Sequence, residues 1–193
     1  RIAAEETGRE LETQSRIIAE QTARSVQAID VVIRHVSEQF RKGALVRLGP
    51  EELHNYLREQ AVGLVQADGL AMHHADGTVR ALSWIYPAPD GVTNISNMAE
   101  FRVARDDPKF DLLVGGAMLS RVDGRWFFPI GRRLETAAGQ FDGTIAARGR
   151  IDYFQQFYRD AQPGPATKVT LMHRGGTLLA RHPPVDAALG KRL

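Results

Sequence analysis

The sequence predicts an α+β fold: an antiparallel sheet of about five strands, flanked by helices and preceded by one long N-terminal helix. Three observations carry this. Residues 2–41 hold helical spacing, with no proline and only Gly8 as a glycine. The stretch from Arg121 to Pro183 reads as strand, glycine turn, strand, amphipathic helix, strand, tight turn, strand. The connections between strand-like runs are short, which favours antiparallel pairing over parallel crossovers.

In the first helix the apolar side of the wheel runs Ile18, Thr22, Val26, Ile29, Ile33, Val36 and Phe40, a spacing close to a heptad seam. Forty residues at 1.5 Å each would reach roughly 60 Å, more than a compact domain of this size is wide. The stripe therefore has two uses, packing on its own domain and pairing with a second copy, and these do not exclude one another. Gly43 ends the helix. A second helix starts at Pro50, whose missing N–H suits a first turn, and Glu51 and Glu52 suit the positive end of its dipole. Leu53, Leu57 and Val62 are expected to face inward there.

A hairpin follows, Leu70–Ala75 and Thr78–Ile85, joined by Asp76-Gly77, a two-residue turn signal. Pro87–Gly91 reads as a surface loop and Asn94–Arg105 as a stretch holding a short helix, closed by the turn Asp106-Asp107-Pro108. The third strand is expected at Leu112–Ser120, the fourth at Arg125–Leu134 and the fifth at Gly143–Arg148. Alternation puts Trp126, Phe128, Ile130, Arg132 and Leu134 on one face of the fourth strand, and Phe127, Pro129 and Arg133 on the other. Ile151, Phe154, Phe157 and Tyr158 then mark a helix over Ile151–Asp160. Pro163-Gly164-Pro165 is a boundary signal before a last hairpin, Lys168–His173 and Thr177–Arg181. The chain thus divides into a long helix (1–42), a sheet-bearing lobe (43–162) and the opening of a second, incomplete lobe (163–193).

Composition narrows the function. Of 193 residues, 43% are apolar and 25% charged, with a net charge of +2, the balance of an ordinary globular domain. Basic residues are scattered rather than striped, which argues against nucleic acid as a partner. No cysteine is present, so disulfides, thiolate metal sites and cysteine nucleophiles are excluded. No run reaches the ~20 apolar residues of a membrane span. The chain opens at Arg1 inside a helical pattern, without signal-peptide organisation, and reads as an excised piece of a longer protein. Of six histidines, His73 and His74 are adjacent in a strand and point to opposite faces, while the others stand alone; no metal site is expected. There is no nucleophile elbow, P-loop or dinucleotide fingerprint, so neither a catalytic residue nor a cofactor is expected.

The order of motifs carries more than any one of them. A long helix precedes the DG hairpin, the DDP turn, the GRW…PIGRRL strand, the G-x-F-x-G-T-I strand, and DYFQQFY followed by GGTLLARHP. In this order they resemble the Cache sensor domains of bacterial membrane receptors, such as diguanylate cyclases and histidine kinases, over nearly the whole chain. The resemblance implies a PAS-like lobe held in the periplasm by flanking membrane segments, a small-molecule ligand, and a homodimer formed through the N-terminal helix. The final hairpin resembles the opening of a second, membrane-proximal lobe. Amino-acid-sensing members carry an arginine and an aromatic in the short helix and an aspartate near the end of the last strand. Here Met98 and Glu100 occupy the first positions, and Arg148 and Arg150 stand near the last, so the usual amino-acid receptor chemistry is not implied.

The resemblance also implies that ligand binds the sheet face covered by the short helix and loops. The residues expected there are Tyr86, Phe101, Trp126, Phe128 and Arg132. An arginine on an apolar face is costly to bury alone. Arg132 therefore has an internal carboxylate partner, such as Glu135 or Asp142, or snorkels out at the strand end, or forks the carboxylate of an anionic ligand between Trp126 and Tyr86. A ligand-free structural or dimerisation module that responds to a protein partner is the alternative reading.

Overall fold

A computed structural model describes residues 2–89, 94–161 and 167–192. The long helix α1 spans Ile2–Arg41 and α2 spans Pro50–Ala61; strands β1 (Ala67–His73) and β2 (Val79–Leu82) form the first hairpin. Helix α3 (Ala99–Asp106) leads to the short strands β3 (Leu113–Val114) and β4 (Met118–Leu119). The long strands β5 (Trp126–Glu135) and β6 (Phe141–Arg150) follow, then α4 (Ile151–Asp160) and a hairpin of β7 (Val169–Met172) and β8 (Leu178–His182). The stretch expected as one third strand, Leu112–Ser120, is two short strands that both pair with β5. Gly115 and Gly116 interrupt it, and a Cβ on Gly115 would sit 2.6 Å from the Pro129 ring.

The main sheet runs β2-β1-β6-β5-β3, antiparallel throughout, with β4 also on β5. Its long central ladder, β5 with β6, aligns Phe127 with Arg150, Gly131 with Ala146 and Arg133 with Thr144. Gly143 lets β6 start against β1: its φ is +121°, and a Cβ there would lie 1.9 Å from the carbonyl oxygen of His73. The proposed boundary at Pro163-Gly164-Pro165 lies outside the described residues.

One face of this sheet is the core. Ile29, Ile33, Val36 and Phe40 of α1 and Leu53 and Leu57 of α2 are buried there with Leu70, Met72, Phe128, Ile130, Leu134 and Ile145. Further toward the N-terminus α1 meets α4, where the hydroxyls of Thr22 and Tyr158 are 3.1 Å apart and those of Ser25 and Tyr153 3.3 Å. Positions 22 to 40 of the seam are thus occupied within the chain, Ile29 being fully buried. Val62, expected to face inward, is 80% exposed, because α2 ends at Ala61 and its carbonyl-side turn swings the next side chain outward. Phe154 and Tyr158 fix α4 between α1 and β8, whose Leu178, Leu179 and Ala180 join the same apolar cluster.

Candidate functional site

Adjacent residues of a strand face opposite sides of a sheet, and in β5 this decides where ligand chemistry can sit. Arg132 points to the α1 side. Its Nε donates to Asp30 Oδ1 at 2.6 Å and its Nη2 to Asp30 Oδ2 at 3.0 Å, with Asp111 as a further ion partner. Arg34 completes the cluster with a 2.6 Å bond to Asp30. Burial raises the Asp30 pKa, but the hydrogen bonds from Arg132 and Arg34 outweigh it and hold the carboxyl below its ordinary value. Arg133 points the other way. Its Nε donates to Glu135 at 2.7 Å, its Nη1 to the carbonyls of Ala104 and Arg105 at the end of α3, and its guanidinium stacks on Phe141.

The five residues expected to line one pocket are therefore not together. Phe101, on α3, is buried edge-on to Phe141, on the face opposite Arg132. Phe128 is fully buried in the core against Phe154, with 5.4 Å between ring centroids. Tyr86 is 45% exposed and stands 5.4 Å from the His54 ring. Trp126 is 41% exposed and borders an open cleft of about 840 Å³ with Leu64, Arg125, Ile151 and Leu189. Arg132 has internal carboxylate partners, but they are Asp30 and Asp111 rather than Glu135 or Asp142. Asp30 lies 102 residues away on α1, so strand spacing alone could not reveal it.

The face under α3 has a different character. Its middle row is small, Gly131, Ala146 and Ala71 side by side, and Ala146 remains partly exposed in the centre of the sheet. On one side of that row lie Arg133, Thr144 and His73; on the other lie Pro129, Arg148 and Trp84. Trp84 lies over Gly69, where a Cβ would come within 2.4 Å of the indole. The Arg148 guanidinium is sandwiched between Trp84 at 4.5 Å and Phe127 at 5.1 Å. It is 3% exposed and is held by Asp123, with Nη1 to Oδ2 at 2.9 Å, and by Asp68, with Nη2 to Oδ2 at 3.3 Å. Its Nε lies 3.0 Å from Asp68 Oδ1 as an ion pair, without the alignment of a hydrogen bond. Burial raises the Asp68 pKa against the attraction of Arg148, whereas hydrogen bonds from Arg148 and Ser120 overcome burial and lower that of Asp123.

Beside the ion-paired Asp68 Oδ1 and Arg148 Nε, three buried polar atoms on this face have no hydrogen-bond partner among the described residues: His73 Nδ1, Thr144 Oγ1 and Trp84 Nε1. Burial lowers the His73 pKa to about 4, with a smaller push from His74, so the imidazole is neutral. Residues 94–98 approach this end of the sheet, Ile95 donating its N–H to the Gly77 carbonyl at 2.9 Å, and continue into α3. This floor of small residues, edged by polar groups and faced by the short helix α3, forms a candidate recess for a small molecule.

The same fold recurs in solved structures. The extracellular domain of rpHK1S-Z16, assigned as a histidine kinase, superimposes with a TM-score of 0.86 at 29% identity, covering 100% of this chain and 76% of that one. This is the fold of a Cache sensor domain. The ligand-binding domain of the Pseudomonas aeruginosa amino acid chemoreceptor PctC, in complex with GABA, matches with a TM-score of 0.73 at 16% identity, over 97% of this chain and 81% of that one. That of the Pseudomonas fluorescens chemoreceptor CtaA, in complex with L-alanine, matches with a TM-score of 0.72 at 14% identity, over 95% and 75%. No protein-family model and no curated protein sequence matches the chain. These neighbours are extracellular or ligand-binding domains rather than catalytic ones. Among the described residues no helix is long and apolar enough to cross a membrane, and no three or more His, Asp or Glu side chains converge as a metal site.

Sequence reading did not single out Trp84, His73, Thr144, Asp68 and Asp123, which make up this candidate site. Parity was the available signal. Thr144, Ala146 and Arg148 alternate with Ile145 and Ala147, which marks a polar, small-residue face on β6 opposite the apolar one.

Proposed function

We propose that this chain is the ligand-sensing part of a periplasmic receptor anchored in the inner membrane by segments outside it, and that it binds a small molecule in the recess beneath α3. The observation that carries this is the trio of unpartnered buried polar atoms on His73, Thr144 and Trp84. Each unmet group costs about 1–3 kcal/mol, a burden folded proteins seldom carry without a ligand or water to relieve it. The complexes of PctC with GABA and of CtaA with L-alanine support a small ligand in this fold. Occupancy would be relayed through α1, and the exposed N-terminal half of that helix would pair with a second copy. The hairpin β7–β8 would open a second, membrane-proximal lobe.

A second reading, a ligand-free module that relays contacts from a protein partner, is favoured by one observation: the three polar atoms are sealed from solvent. A thermal-shift screen of small polar metabolites separates the two when run on wild type and on Ala146→Leu, which fills the recess floor. A ligand at about 100 times its Kd adds roughly 2.7 kcal/mol to stability. Stabilisation present in wild type and lost in folded Ala146→Leu is expected; equal stabilisation of both proteins places the ligand elsewhere.

A further inference from the structure

The ionised groups of the recess are already matched. Asp68 and Asp123 face Arg148, with Arg125 Nη1 3.7 Å from Asp68, and Arg133 is held by Glu135 and two carbonyls. An incoming carboxylate would have to take Arg148 from two carboxylates that hold it in a desolvated stack, leaving them unpaired. An incoming ammonium would have to displace an arginine in the same way. The groups left without partners are neutral. Trp84 Nε1–H is a donor only, the Thr144 hydroxyl donates and accepts, and the His73 imidazole does either according to its tautomer. They stand on opposite sides of the Gly131–Ala146–Ala71 row, Thr144 and Arg148 being four residues apart on β6, roughly 13 Å along a strand.

We infer that the recess selects an uncharged, polyhydroxyl- or amide-type molecule, one long enough to cross the small-residue row and accept from Trp84 while hydrogen-bonding to Thr144 and His73, and that it rejects organic acids and amino acids. This rests on the sensor reading of the same face. The arginine of β6 holds the wall rather than the ligand.

The test uses the protein's two tryptophans. Trp126→Phe leaves Trp84 as the sole indole, whose emission reports a new hydrogen bond at Nε1. Six probes are titrated at millimolar concentration in two matched sets: glucose, glucuronate and glucosamine; succinamide, succinate and 4-aminobutyrate. The expected result is an emission shift with at least one neutral member, a Kd at least tenfold weaker for its charged counterparts, and a roughly tenfold weaker Kd in Thr144→Val, equal to about 1.4 kcal/mol. Charged members that bind as well as or better than the neutral one overturn the ligand class while sustaining the sensor reading. No shift with any of the six overturns the class and counts against ligand binding at this face. A shift that Thr144→Val leaves unchanged removes Thr144 from the site and overturns the proposal as stated.

Discussion

Arg132 and Arg133, neighbours in one strand, tie opposite layers of the domain to the same backbone segment. Arg132 grips Asp30 of α1 through two hydrogen bonds, and Arg133 caps the last turn of α3 through the carbonyls of Ala104 and Arg105. Ser37 of α1 adds a bond to the Arg133 carbonyl at 3.2 Å. The roof of the recess and the long helix thus share one anchor on β5. In the proposed sensor, movement of α3 on ligand entry would have a short route to α1, through two bonded contacts rather than through the packed core.

The Asp30–Arg132 pair is nearly buried, with side chains 9% and 12% exposed, so removing one partner strands the other. Arg132→Gln is expected to destabilise the domain by about 3 kcal/mol in urea unfolding, and the double variant Asp30→Leu/Arg132→Met by clearly less than the sum of the single changes. Additive losses would mean the pair is not coupled. Because the Asp30 pKa is lowered in the fold, its share of stability is full above about pH 4 and is lost as pH falls below that value.

His73 works in the same direction but in a higher pH window. Its folded pKa is about 4, well below the ordinary value of 6.5, so the unfolded chain takes up a proton in that window and the folded one does not. Stability from this residue is therefore lost as pH falls from 6.5 toward 4, by about 3 kcal/mol in all. The comparison of wild type with His73→Asn isolates the effect, since the carboxylates titrate alike in both. Parallel stability curves for the two proteins across that window would refute the burial assigned to His73.

Thr144 carries a hydroxyl that is buried without a partner. Thr144→Val keeps the branched shape and removes the unmet group, so the ligand-free domain is expected to gain about 1 kcal/mol, with a higher Tm. The same substitution weakens ligand binding in the inference above. A loss of stability would show that the hydroxyl already has a partner.

The proposed dimer would pair α1 nearer its N-terminus than the buried stripe. Ile29 is fully buried against its own sheet, whereas Ile17 is 54% and Leu11 43% exposed. In the membrane-tethered receptor a cysteine at Ile17 is expected to crosslink two copies and a cysteine at Ile29 is not. Crosslinking at Ile29 would require α1 to leave its own core. Ile29→Ala in the isolated domain is expected to cost about 2–5 kcal/mol, as for other fully buried aliphatic side chains.

The sequence by itself determined the elements. The apolar stripe of α1, the Asp76-Gly77 turn, the alternation of β5 and the Phe154/Tyr158 face of α4 are local periodicities. Each appears in the structure close to where residue spacing puts it, because one layer of burial imposes one period on each element. Parity also separated Arg132 from Arg133 correctly. What spacing could not supply was which of the two faces α1 would cover, since both carry aromatics and an arginine. That choice was made by contacts made across about a hundred residues of chain, Asp30 to Arg132 and Phe40, Ile33 and Ile29 onto the sheet. Once α1 took the Phe128–Ile130 face, Arg132 became part of the core's edge, and the opposite face, with Trp84, His73, Thr144 and Arg148, was left for α3 to cover. A single strand carries its two faces in its sequence, but only the layers packed on the sheet decide which one is the core and which the site.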